Sequence, residues 1–164
     1  MKKNLKNFTL HEYNLALASR MPTPGGGSAS ALSAALGASL IAKVANYSLG
    51  KGCPQPIEQK IKTALQRVEK IRDQLLECVD LDAQAYQAVV DVRKKGTSVM
   101  KKALKQAQAV PRKVCLLSYQ ALELAPILIE HGNKYLLSDI EVALELLSAA
   151  HQSALINVKV NQPS

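Results

Sequence analysis

The sequence predicts an all-α fold, an elongated helical bundle around one Ala/Gly-rich central helix, and three observations carry that expectation. Of the 164 residues 48% are hydrophobic, yet only 4% are aromatic, with no Trp and a single Phe. The core must therefore come from Ala, Leu, Val and Ile, which suits close-packed helices better than β-sandwiches. Apolar residues recur at three- and four-residue spacing over long stretches, and helix-start signals precede two of them. No strand pattern, internal repeat or low-complexity segment appears. The length fits one domain, residues 1–164, with a substantial core.

The elements follow in order. Thr9-Leu10-His11-Glu12 matches a capping box and predicts a short first helix to about Ser19. Pro22-Thr23-Pro24-Gly25-Gly26-Gly27-Ser28 breaks it, with Ser28 as N-cap of a second helix running to about Ser48. In that helix Ala, Ser and Gly occupy nearly every face, which is useful only where other helices approach closely on several sides. Gly50 to Pro56 is the next breaker. Ile57, Ile61, Leu65, Val68, Ile71, Leu75 and Val79 then mark a long amphipathic helix reaching about Arg93, roughly 50 Å at 1.5 Å per residue. Lys94-Lys95-Gly96-Thr97 predicts a turn. A further helical stretch runs from about Ser98 to Glu130, with Pro111 and Pro126 as kinks or joints and His131-Gly132-Asn133 as its C-cap. Ser138-Asp139-Ile140-Glu141 reads as a second capping box, opening a last helix to about Val158.

Composition narrows the function classes. Three cysteines without a CxxC pair fit neither a disulfide framework nor a zinc site, and a reducing, cytoplasmic setting is expected. The basic start lacks a following apolar run, and Ala29 to Ala42 is too short and too rich in Ser and Ala to span a bilayer, so neither secretion nor a membrane is expected. The net charge of +8 is concentrated. Eight basic residues and no acid lie between Arg93 and Lys113. Such a stretch either meets a polyanion or is a solvated helix face. Without a Tyr or Phe between Tyr86 and Tyr119, the stacking groups that single-stranded nucleic acid requires are missing.

Two features could carry chemistry. The Gly25-Gly26-Gly27 run opens a helix, where unpaired amides and the helix dipole make an anion or oxyanion site. It is no Walker A loop and follows no strand; the alternative is a tight turn between packed helices. Asp82 and Tyr86 lie four apart on one face of the long helix with Val79. A buried Asp82 would have a raised pKa and act as general base or acid; otherwise it is a boundary residue reaching water. Asp139 is explained locally as an acid in a first helical turn. His11, His131 and His151 are scattered, which argues against a metal.

Four blocks together resemble a known family. They are Ala18-Ser19 with Pro22 to Ser28, Ala34-Ala35-Leu36-Gly37-Ala38 and Val44-Ala45-Asn46; Asp80 with Asp82-Ala83 to Ala85-Tyr86; Val110-Pro111; and Gly132-Asn133 and Ser138-Asp139 with Asn157 to Asn161. From end to end the chain resembles the cyclodeaminase/cyclohydrolase family, which comprises the C-terminal domain of formiminotransferase-cyclodeaminase and stand-alone methenyltetrahydrofolate cyclohydrolases. The Pro-Thr-Pro-Gly-Gly-Gly-Ser string is its most specific mark. Lys43 departs from the pattern, standing where an apolar residue is usual.

The resemblance implies an all-helical subunit that forms a homodimer, with a folate site at or near the subunit interface and no cofactor beyond the folate substrate. The implied activity is hydrolysis of 5,10-methenyltetrahydrofolate to 10-formyltetrahydrofolate. The alternative is closure of formiminotetrahydrofolate with release of ammonia. The absence of a formiminotransferase domain in this chain favours the first. A rival outside catalysis is a helical dimer that binds a polyanion or a protein through Arg93 to Lys113. On the implied reading Asp82 and Asp139 are the catalytic carboxylates. Pro24, Gly25, Gly26, Gly27, Ser28, Asn46, Tyr86 and Asn133 contact substrate, and the basic stretch meets a polyglutamate tail.

Overall fold

The structure, a computed structural model, describes residues 4–93 and 97–160. The turn expected at Lys94-Lys95-Gly96 lies outside the described residues, as does Asn161. A 3-10 turn, Leu5–Asn7, precedes α1 (Leu10–Ala18), α2 (Gly26–Ser48), α3 (Gln55–Val92), α4 (Thr97–Leu122) and α5 (Ala125–His131); a second 3-10 turn, Lys134–Leu136, leads into α6 (Leu137–Val160). No strand occurs among the described residues. The all-α expectation holds, and the 38 residues of α3 make it about 57 Å long.

The α1 capping box forms as its sequence requires. The Thr9 hydroxyl accepts from the Glu12 amide at 3.1 Å and the Glu12 carboxylate accepts from the Thr9 amide at 2.6 Å. In α3 the stripe at three and four residues is the buried one, with Ile61, Val68, Leu75 and Val79 closed off from solvent. Pro126 falls in the first turn of α5, where its missing N–H costs nothing, so it marks a joint; α4 continues through Pro111. Gly132 ends α5 with its amide donating to the Leu128 carbonyl at 2.8 Å. A Cβ there would stand 2.3 Å from that carbonyl oxygen, so only glycine fits.

Two helix starts differ from expectation. α2 begins at Gly26 with Gly25 as its N-cap, so Ser28 lies inside the first turn and caps nothing. α6 follows the 3-10 turn directly from Leu137, which puts Ser138 inside the helix rather than at its cap. The cap of that segment is Asn133, whose Oδ1 accepts from the Tyr135 amide at 3.0 Å.

α2 is the central helix, packed along α3 and α6 and touching α4 and α5, while α4 closes the bundle against α3 and α6. Ala31, Ala34, Ala38, Val44 and Ala45 are fully buried. α6 crosses so closely that a Cβ on Gly37 would lie 2.8 Å from Leu147 Cγ and 3.1 Å from the Ala143 carbonyl oxygen. The Ser30 and Ser48 hydroxyls of α2 turn back on their own helix: Ser30 Oγ donates to the Gly26 carbonyl at 2.7 Å and also meets Ser153 Oγ of α6 at 2.8 Å, and Ser48 Oγ donates to the Val44 carbonyl at 2.6 Å. Among the described residues α2 is the one helix long and apolar enough to cross a membrane, and 61% of its apolar window is buried within the bundle. One stripe of α2 is left uncovered, carrying Leu36, Lys43 and Tyr47. The small residues are thus enclosed on several sides but not all.

Candidate active site

The site forms where the first turn of α2 meets the second half of α3. Ser28 donates its backbone N–H to Asp82 Oδ2 at 3.0 Å. This contact exists because residue 27 is glycine: a Cβ there would fall 2.1 Å from Asp82 Oδ1, inside the carboxylate. The three glycines therefore have different roles. Gly25 has open space where a Cβ would go, and a Cβ on Gly26 would meet only Asn157 Oδ1 at an ordinary 3.8 Å. By helix geometry the amides of Gly26 and Gly27 have no partner within α2. Behind the turn, Tyr13 of α1 places its hydroxyl 2.9 Å from Ser28 Oγ.

A cavity of about 320 Å³ opens in front of this turn, with Pro22, Thr23, Gly25, Gly26, Gly27, Asp82, Ala85, Tyr86, Val89, Ala107, Asn157 and Val160 around it. Thr23 and Pro24 are joined by a cis peptide bond. Burial pushes the Asp82 carboxyl above its ordinary value, and the Ser28 amide pulls it part of the way back. A carboxylate so placed takes up a proton more readily than a surface Asp and can return it. The walls offer apolar surface from Val89, Ala85 and Ala107, and a carboxamide from Asn157, whose Nδ2 donates to the Ser153 carbonyl at 3.1 Å.

The expected site residues divide into two groups. Gly25, Gly26, Gly27, Asp82 and Tyr86 meet at this cavity. Pro24 is buried and is not among the residues around it, and Ser28 gives its amide to Asp82 and its hydroxyl to Tyr13. Asp139, Asn46 and Asn133 lie towards the other end of α2. Gly27 and Lys43 are sixteen residues apart on one helix, about 24 Å, and Lys43 Nζ holds Asp139 Oδ2 at 2.7 Å. Asn46 is exposed on α2. Asn133 donates its amide to Ser48 Oγ at 2.9 Å and uses its side chain as a cap, in a depression with Cys53 and His131. Within one subunit Asp82 and Asp139 are therefore not partners in one site. Lys43, out of pattern by sequence, is the ion-pair partner of Asp139.

Pro22, Thr23, Ala85, Val89, Ala107, Asn157 and Val160 were not expected as site residues but line the cavity, and Tyr13 was not expected as the group behind Ser28. Asn157 stood in the C-terminal block of the resemblance, a usable signal. Tyr13 had none, since its partner is fifteen residues away across a loop.

Residues 9–164 match the family model described as formiminotransferase-cyclodeaminase. The chain belongs to that family. A methenyltetrahydrofolate cyclohydrolase of Methylorubrum extorquens is 35% identical over 165 residues, a match that takes in 94% of this chain and 79% of the relative. The formimidoyltransferase-cyclodeaminase of Gallus gallus is 29% identical, covering 97% of this chain but 31% of that longer protein. Among solved structures, formiminotetrahydrofolate cyclodeaminase from Thermotoga maritima superposes with a TM-score of 0.92 at 29% identity, over 96% of this chain and 79% of that one. The match to the family takes in both the turn at Gly25 to Ser28 and Asp82.

Proposed function

We propose that this chain hydrolyses 5,10-methenyltetrahydrofolate to 10-formyltetrahydrofolate, with Asp82 as general base. The observation that carries the reading is the half-buried Asp82 carboxylate fixed at the N-terminal turn of α2, on the wall of a cavity sided by apolar groups. The 35% identical cyclohydrolase supports the choice of reaction. The substrate's bridging carbon is already a cationic amidinium. Water adds to it and passes one proton to Asp82. The carbinolamine then opens as its hydroxyl proton leaves and the C–N5 bond breaks, N5 takes a proton, and the formyl group stays on N10. One proton is released overall. The Gly26 and Gly27 amides and the α2 dipole face the oxygen as charge develops on it.

The folate's glutamate tail extends toward α4, where Lys101, Lys102 and Lys105 are exposed within two turns of Ala107 of the cavity. The functional unit in this reading is a homodimer. Leu36 and Tyr47 of α2 and Val142 and Ile156 of α6 are each about half or more exposed on neighbouring, antiparallel helices, an apolar face suited to a second copy. Asp139 and Lys43 join the same two helices, so a partner laid antiparallel would bring its Asp139 end toward this cavity. The three thiols Cys53, Cys78 and Cys115 are free, in keeping with action in the cytoplasm.

The test is absorbance decay of methenyltetrahydrofolate, corrected for spontaneous hydrolysis. Asp82→Asn lowers kcat by about 10²–10⁴-fold, the usual worth of a general base. Decay no faster than the blank with native protein overturns the reading. Ammonia release from formiminotetrahydrofolate would then establish cyclodeaminase chemistry, as the name of the Thermotoga protein suggests. Affinity for polyanions that collapses between 50 and 200 mM salt, with no turnover of either folate, would establish a binding protein. Sedimentation at assay concentration gives a dimer, and a fully active monomer would refute that part.

A further inference from the structure

Tyr13 is the one buried residue of α1, while Leu10 and Leu15 of the same helix are exposed, at 77% and 59%. Its hydroxyl has been carried into the interior, where a phenol requires a partner. The partner is the Ser28 hydroxyl at 2.9 Å, itself fully enclosed. Ser28 is also the residue whose backbone amide holds Asp82, and its neighbour Gly27 is the one that a side chain would drive into that carboxylate. Tyr13, Ser28 and Asp82 thus form one chain of contacts, with Asp82 at the cavity end and Tyr13 at the buried end.

We propose that Tyr13 is a positioning residue for Asp82: through the Ser28 hydroxyl it clamps the first turn of α2, so that the Ser28 amide stays on the carboxylate. Its role at the reaction centre rests on the functional reading above. Burial raises Asp82 and the Ser28 amide lowers it. How far the amide offsets burial depends on how closely the turn is held. Tyr13 itself is raised above its ordinary value, chiefly by burial, so its hydroxyl keeps its proton throughout the assay range. Among the described residues, the titratable groups about Asp82 besides Tyr13 of α1 are Cys78 and Tyr86 of its own helix, with Glu77 of α3 and Lys113 of α4 acting on Cys78; α2 presents Ser28, α4 presents Ala107 to the cavity, and α6 presents Asn157.

The test compares native protein with Tyr13→Phe, Ser28→Ala and the double variant. Carbon-13 NMR titration follows the Asp82 carboxyl, identified by its loss in Asp82→Asn, and runs without any substrate. In Tyr13→Phe the ring and its packing remain, but the clamp is gone. The midpoint of Asp82 moves up by about half a pH unit or more, the lower range of one hydrogen bond, and the acid limb of kcat for methenyltetrahydrofolate moves with it. Ser28→Ala, which keeps the amide and loses the hydroxyl, gives the same shift. The double variant gives no more than either. An unchanged midpoint in Tyr13→Phe with only a lower Tm overturns the proposal, as do additive shifts in the double variant. If native protein fails to turn over methenyltetrahydrofolate, the functional reading fails, and the NMR midpoints still decide whether Tyr13 positions Asp82.

Discussion

Replacing Gly27 by alanine tests the link between backbone and chemistry most directly. The new Cβ would lie 2.1 Å from Asp82 Oδ1, 2.5 Å from Cγ and 2.8 Å from Oδ2, against an ordinary contact of 3.4 Å or more. The carboxylate must withdraw by about 1.3 Å, and the 3.0 Å bond from the Ser28 amide stretches with it. A displacement of about 1 Å at a reacting group costs on the order of 100-fold, so kcat for methenyltetrahydrofolate falls by about that factor. Stability changes much less. Alanine gains up to about 1 kcal/mol of helix propensity, while a hydrogen bond to a charged group is worth about 1.5–3 kcal/mol. The net loss is about 0.5–2 kcal/mol, a drop in Tm of at most about 8 °C for a chain of this length. Gly25→Ala and Gly26→Ala supply the contrast, because neither Cβ reaches Asp82; they crowd the cavity and act mainly on KM. Steady-state kinetics beside a thermal melt decide the matter. A Gly27→Ala enzyme with kcat within threefold of native, or a Gly25→Ala enzyme that loses as much kcat, would refute the reasoning.

Asp82→Asn is expected to stabilise the protein at pH 7 even as it lowers kcat. The folded pKa of Asp82 is raised by burial, so its ionisation costs stability as pH rises from the unfolded carboxylate value, about 3.9, through the folded one. Below both values the acid is protonated folded or unfolded and the cost is absent. Urea midpoints should therefore show the variant ahead at pH 7 and the gap closing toward pH 3.5; an advantage that grows in acid contradicts the burial argument. Gly37→Ala overpacks the crossing of α2 with Leu147 and the Ala143 carbonyl, at about 1–3 kcal/mol, or about 2–12 °C in Tm. Its kcat per folded molecule is expected to stay native, and a loss of activity without a loss of Tm would show that the crossing bears on the site.

Much of this protein is legible in the sequence because the relevant interactions are local. The α1 capping box needs only Thr9 and Glu12 three residues apart, and α3 declares its buried face through apolar spacing that any helix of that register would bury. The small residues of α2 state that something must pack close to it, and the Pro-Thr-Pro-Gly-Gly-Gly-Ser string marks where a site begins. What those residues touch is a different kind of fact. Ser28 has the side chain of an N-cap and sits in the sequence where a cap belongs, yet its amide goes to a carboxylate 54 residues away and its hydroxyl to Tyr13. Ser138 likewise reads as a cap until the preceding 3-10 turn carries the chain straight into α6. Asp82 and Asp139 look alike as acids on helices, but a rise of 1.5 Å per residue along α2 sets their neighbours at opposite ends of the bundle. Local periodicity determined which segments are helices and which faces they bury. Only the packing of α1, α3 and α6 against α2 decided which acid meets the glycine turn, because that choice depends on where separate helices cross.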